Sequence, residues 1–263
     1  TEVDATVEVL AAPRERAVDA DARARAHHDL RREPLFASAS TCAGCHEFPF
    51  PDNRRRVRPA MMQRTMQEHR RSSERARACA SCHMPVVDGA DGPHRSHRFA
   101  ASRDPELIRS AASITARCEP RGVTLTITPA HVGHAFPTGD LFRRLELSLR
   151  PEADDREELV TRRFLARHFV TTRERPGAPV RALLRDDRVG ARPGPSVITL
   201  ELPRAAATAT TRWRVAYQRV EHMDGDNPQR AVVEGELEVA SGRCDPRDAA
   251  ATTSAAPTPR GTP

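Results

Sequence analysis

Cys42-Ala43-Gly44-Cys45-His46 and Cys79-Ala80-Ser81-Cys82-His83 repeat one pattern, C-x-x-C-H, and take four of the six cysteines in a chain of 263 residues. Two thiols one helical turn apart point the same way, and a histidine directly behind them can turn its ring beneath whatever they hold. That is the attachment pattern of c-type haem, in which the thiols form thioethers with the porphyrin vinyl groups and the adjacent imidazole ligates the iron. The spacing predicts two covalent haem c groups, held by Cys42, Cys45, Cys79 and Cys82, with iron ligands His46 and His83.

Two other chemistries use the same residues. Paired C-x-x-C knuckles form structural zinc sites, but zinc does not ask for a histidine behind each pair, and the interval from Cys45 to Cys79 exceeds the usual ribbon spacing of about 15 to 20 residues. A redox dithiol comes singly and within a βαβ pattern, which this sequence lacks.

Composition agrees with a haem-filled interior. Only 4% of residues are aromatic against 38% hydrophobic, too few rings for two conventional cores. No apolar run approaches the length of a membrane-spanning helix. Thr1 to Leu10 carries acidic residues where a signal peptide shows a basic start and an apolar stretch, as expected of a chain already processed. The 42 basic residues outnumber 36 acidic ones, for a net charge of +6, and every basic residue is arginine. No amine is therefore available as Schiff base, general base or metal ligand. Charges of both signs alternate through most of the chain, which argues against a nucleic-acid partner. Residues 54 to 77 are the exception, with nine arginines against Glu68 and Glu74. That stretch reads as a solvated face, as partners for haem propionates, or as a dock for an acidic protein.

Hydrophobic periodicity divides the chain near residue 118. Up to Arg117 the elements read as short and helix-like. Beyond it Val123, Leu125 and Ile127 alternate with threonines, and the same period of two recurs at Leu145, Leu147 and Leu149, at Ile198, Leu200 and Leu202, at Trp213, Val215 and Tyr217, and at Val233, Leu237 and Val239. The predicted fold class is α+β multidomain: a small, loop-rich α dihaem domain over 1–117, an antiparallel β-sandwich over 118–244 and a disordered tail over 245–263. Cys118 and Cys244 flank the predicted strands and are placed to close the sandwich as a disulfide, which, like haem c attachment, belongs outside the cytoplasm.

The stretches CAGCHEFPFP (42–51), MQRTMQEHRRS (62–72), CASCHMP (79–85), SHRF (96–99) and GHAFPTGDLFRRLELSL (133–149) resemble a group of multihaem c-type cytochromes in which a haem domain precedes a β-domain. The haem part is similar to that of pentahaem nitrite reductases and hydroxylamine oxidoreductases, over about His28 to Leu149. The resemblance implies bis-histidine haems that carry electrons, with distal histidines outside the attachment motifs. It also marks departures. Relatives commonly have another C-x-x-C-H upstream, where this chain has no cysteine. Related nitrite reductases use a lysine as proximal ligand at the catalytic haem, so that active site cannot be built here.

Three histidines are the distal candidates. His97 lies fourteen residues beyond His83 after a Gly-rich turn, with enough chain to fold over a neighbouring haem. His134 sits in the loop Gly133–Gly139 between two predicted strands, where a rigid scaffold could present it to the haem domain. His28 takes its place from the resemblance alone. For all three the alternative is a solvated imidazole. Met62, Met66 and His69, spaced i, i+4 and i+7, would share one helical face and read as core packing, with a methionine ligand as the competing chemistry.

The expected function is a dihaem cytochrome relaying electrons between redox partners, periplasmic or at the cell surface, working with other cytochromes or with further copies of itself. The alternatives are a haem enzyme with one open distal position acting on a small nitrogen or oxygen species, with His69 or Arg70 delivering a proton or stabilising charge, and an adhesion or assembly module that merely carries haems.

Overall fold

The computed structural model describes residues 9–11, 30–32, 34–51, 60–89, 92–153, 156–175, 178–206, 209–222, 228–245, 247 and 252–255. In chain order, β1 (Val9–Ala11) pairs in parallel with β2 (Leu30–Arg32). The first attachment motif forms a single helical turn, α1 (Ala43–His46), and the chain leaves it directly as β3 (Glu47–Pro49), antiparallel to β4 (Met61–Arg64). Helix α2 (Thr65–Arg71) follows, then the second motif as α3 (Ala80–His83) and a small hairpin of β5 (Val86–Val87) and β6 (His94–Arg95). Helix α4 (Pro105–Ser110) has Asp104 as its N-cap, accepting from Leu107 N at 3.0 Å, and Pro105 at its first position, both favourable for helix initiation.

The remainder is a β-sandwich. One sheet contains β7 (Ala112–Glu119), β8 (Gly122–Pro129), β13 (Ser196–Glu201) and β16 (Thr252–Ala255) in the order β13-β8-β7-β16. The other contains β9 (Arg143–Pro151), β10 (Thr161–Leu165), β14 (Thr211–His222) and β15 (Val232–Cys244) in the order β10-β9-β14-β15. Strands β11 (Arg167–Arg175) and β12 (Ala178–Asp186) form a separate antiparallel hairpin. The alternation expected from sequence supplies the core: Val123, Leu125 and Ile127 of one sheet face Leu145, Leu147, Leu149, Trp213, Val215 and Tyr217 of the other, all at most 2% exposed. A pleated strand sends every second side chain inward, so each triplet lines one face.

The predicted α+β class is the observed one, with more strand than expected. The expected limit at residue 117 falls inside β7, whose inward residues Ala112, Ile114, Ala116 and Cys118 are mostly small and so carry little hydrophobic signal. Within the stretch expected to be a disordered tail, residues 252–255 add β16 to the edge of β7, and the backbone pairing there asks only for extended chain. Among the described residues no helix is long and apolar enough to cross a membrane.

Cys118 of β7 and Cys244 at the end of β15 are joined as a disulfide across 126 positions, linking the two sheets. Closing so long a loop removes conformational freedom from the unfolded chain and is worth about 2–5 kcal/mol. Replacing both cysteines by alanine is expected to lower the unfolding free energy by about that amount, read from denaturant unfolding fitted for both midpoint and slope, the slope rising as the freed unfolded chain expands. An unfolding free energy indistinguishable from the parent's would show that the bond contributes nothing.

Candidate haem centre

Both motifs fold as the sequence demands of an attachment site. In the first, the 3-10 turn Ala39–Cys42 runs into α1, and Ser38 caps its start by accepting from Ser40 N at 3.2 Å. His46 is the last residue of α1, because Glu47 turns the chain extended. The β3–β4 pairing sets Phe48 opposite Gln63, and this brings the buried Gln63 amide to 2.7 Å from His46 Nδ1. As placed, the amide nitrogen Nε2 faces Nδ1 and donates to it; with the amide turned over, Nδ1–H would donate to its oxygen and His46 Nε2 would be left for a metal. Burial, and then the nearby His83, lower the His46 pKa. The neutral ring that ligation requires is therefore favoured.

In the second motif His83 N donates to Cys79 O at 3.0 Å, and Arg95 Nη1 donates to Ala80 O and Met84 O, each at 3.1 Å, which braces the end of α3. His83 is clamped twice by one residue: its Nδ1–H donates to Ala100 O at 2.6 Å, while its own carbonyl accepts from Ala100 N at 3.1 Å. Phe99, with φ of 50°, turns the chain to make this possible, and left-handed backbone is a costly choice for a bulky residue. Cys79 is close enough to Cys42 for the two thiols to influence each other, so the two attachment sites adjoin. Burial first, and then Cys42, push the Cys79 pKa up to about 11. Among the described residues no three Cys, His, Asp or Glu side chains gather as a metal-binding group.

His134 comes from the β8–β9 loop. The loop is fixed at Phe136, whose N–H and carbonyl pair with Val189 at 2.8 and 2.9 Å. His134 Nδ1–H donates to Ala135 O at 3.0 Å, which again leaves Nε2 available. Its pKa is lowered, by burial first, so the ring is held neutral. The His134 and His83 rings are nearly parallel, 15° apart, with centres separated by 6.2 Å. That is too far for face-to-face contact. Two imidazoles whose Nε2 atoms faced each other across one metal ion would have the same separation of centres, since two metal–nitrogen bonds of about 2 Å and about 1 Å from each nitrogen to its ring centre sum to about 6 Å.

The apolar surroundings also fit a bound macrocycle. Among the described residues from 34 to 111, only Phe50, Met66, Ile108 and Ala111 are buried apolar side chains, while Leu35, Val86, Val87 and Phe99 are exposed. A segment with so little core of its own needs something else to cover apolar surface.

The other candidates are placed differently. His97 is exposed and its ring lies beside Phe99, 6.5 Å between centres. His28 lies outside the described residues. The expected Met62–Met66–His69 stripe is broken, because Met62 belongs to β4; only Met66 and His69 are buried on α2. Of the arginine-rich stretch, Arg54, Arg55, Arg56 and Arg58 lie outside the described residues, whereas Arg64, Arg70 and Arg77 pair with Glu68, Glu47 and Glu74 of the protein itself. Sequence reasoning gave no site role to Glu68, Asp186, Arg167 or Arg188, which lie buried or nearly so around the His134 loop.

The chain matches no protein-family model and no curated protein. Among solved structures its fold is similar to that of a penta-haem cytochrome c552 from Thermochromatium tepidum, with a TM-score of 0.55 and 16% sequence identity. The match covers 82% of this chain and 58% of that one, so the chain spans little more than half the length of the structure it resembles.

Proposed function

We propose that the protein is a dihaem c-type cytochrome that relays electrons between redox partners outside the cytoplasm. The observation that carries this reading is the pair of near-parallel imidazoles, His83 and His134, 6.2 Å apart with each Nδ1 bonded to a backbone carbonyl. In this reading Cys42 and Cys45 hold one haem above His46, and Cys79 and Cys82 hold the other above His83, with His134 as the sixth ligand of the second. His97 and His28 are the candidates for the sixth position of the first. A bis-histidine haem supplies a reversible one-electron couple with no open coordination position.

The residues divide that work. Gln63 and Ala100 orient the proximal rings. The carbonyl of Ala135 does the same for His134, and the loop scaffold places it. The closeness of Cys79 to Cys42 sets the two attachment sites side by side, which suits passage of an electron from one group to the next. The Cys118–Cys244 disulfide supports an oxidising compartment. The haem part is proposed to end near the start of the sandwich, and the partners to be other cytochromes or redox proteins, or further copies of the chain.

Haem quantitation tests the reading. A pyridine haemochrome assay is expected to give two covalent haems per chain, and the resting protein a low-spin spectrum without a methionine-to-iron band. One haem would overturn the dihaem stoichiometry, none would favour zinc chemistry, and a high-spin resting protein that avidly binds carbon monoxide on reduction would favour the enzyme alternative.

A further inference from the structure

A buried charged network lies against the His134 loop. The Arg188 side chain is 2% exposed, and its two carboxylate partners, Glu68 of α2 and Asp186 of β12, are each 10% exposed. Arg188 Nη2 donates to Glu68 Oε1 at 2.5 Å and to Asp186 Oδ2 at 2.8 Å, and its Nε donates to Asp186 Oδ1 at 2.9 Å. Nη1 then reaches the loop itself, donating to Pro137 O at 3.0 Å. Glu68 reaches it as well, accepting from Thr138 Oγ1 at 2.8 Å. Arg64 pairs with both carboxylates. Arg167 donates to Gly139 O at 2.9 Å and to Met61 O at 3.0 Å. Three guanidinium groups and two carboxylates thus meet where water is scarce, an arrangement with a large desolvation cost that apolar residues of similar volume would avoid.

The contacts converge on Pro137, Thr138 and Gly139, three to five residues beyond the loop's histidine. The same helix secures the other side of His134: the His69 ring packs on Gly133 so closely that a Cβ there would stand 3.1 Å from its Cδ2. Helix α2 therefore grips the loop before and after His134, and Arg188 ties that grip to β12.

We infer that Arg188 and Glu68 are positioning residues for His134, holding the loop so that its imidazole stays opposite His83. This rests on the reading of His134 as a haem ligand. In the holoprotein, His134, and not a solvent molecule or an added ligand, then keeps the sixth position of the second haem. Loss of a partner behind a metal-ligating histidine commonly costs about 10–100-fold in affinity.

The test uses the full haem-loaded chain with Arg188→Met, Arg188→Lys, Glu68→Gln and His134→Ala. Arg188→Met and Glu68→Gln change the buried charge in opposite senses. If they act by releasing His134, both should raise the carbon monoxide affinity of the same reduced haem, by about tenfold or more, and add high-spin signal, with Arg188→Lys intermediate. Opposite shifts of potential with the haem still low-spin and closed would overturn the inference, since the network would then act only through its field. Glu68→Gln is isosteric, so it carries the test if Arg188→Met fails to fold. A low-spin His134→Ala overturns the ligand reading and this inference with it. A high-spin His134→Ala beside silent Arg188 and Glu68 variants overturns the positioning role alone.

Discussion

Replacing Cys82 by alanine should leave a protein with one stably attached haem fewer, the largest single change expected of any substitution in the chain. Cys79 and Cys82 sit one turn apart on either side of Ala80 and Ser81, and loss of one thioether leaves the macrocycle tethered by one sulfur and by His83. The structural consequence should extend well past the cysteine. Among the described residues from 34 to 111 few apolar side chains are buried, and Val86, Val87 and Phe99 lie exposed, so a bound macrocycle would supply the apolar cover this segment lacks. Binding free energy for a group that the unfolded chain cannot hold is folding free energy. The variant should therefore lose haem by pyridine haemochrome assay and also unfold at a lower temperature. Cys45→Ala should do the same for the first haem. Unchanged haem content in both variants would mean that the motifs do not attach haem.

What could be read from the sequence was what is local. A C-x-x-C-H turn needs only five consecutive residues, and both motifs form single helical turns. The inward triplets on β8, β9 and β14 were readable because branched or aromatic side chains alternate with polar ones over one strand. The disulfide followed from two cysteines flanking that alternation. Strand β7 was missed because Ala112 and Ala116 bury little area. Strands β10, β11 and β12 were missed because arginines interrupt their apolar positions. Met62 illustrates a different failure: helical spacing to Met66 and His69 is present, but pairing of β4 with β3 takes Met62 into a strand, as tertiary context often overrides a short periodicity. The charged network was beyond reach for a simpler reason. Arg64 and Glu68 are visible as an i, i+4 pair, yet Arg188 stands 120 positions from Glu68, and nothing local links them. The loop histidine could be singled out from its scaffold, while its position opposite His83 depends on the same long-range packing.

His134→Ala should convert one haem, and only one, from low-spin to high-spin and open it to cyanide and carbon monoxide. The second haem should be the one affected, because the ring of His134 lies 6.2 Å from that of His83. His69 on α2 is buried against Gly133, and the loop that would have to move is held at Phe136, Pro137 and Thr138. If His134 ligates, the lost bond would also join the β8–β9 loop to the segment that carries His83, so the variant should show increased proteolysis between the two while the sandwich keeps its disulfide-closed core. His134→Met separates ligation from packing. If the thioether reaches the iron, the haem should remain low-spin, gain a methionine-to-iron band and rise in potential, since methionine ligation favours the reduced state relative to histidine. If both variants keep the parent spectrum and both potentials, His134 does not ligate iron. The near-parallel pairing with His83 would then be a packing arrangement, with the β8–β9 loop held by the Arg188 network and the β11–β12 hairpin by the Phe50–Phe169 edge contact.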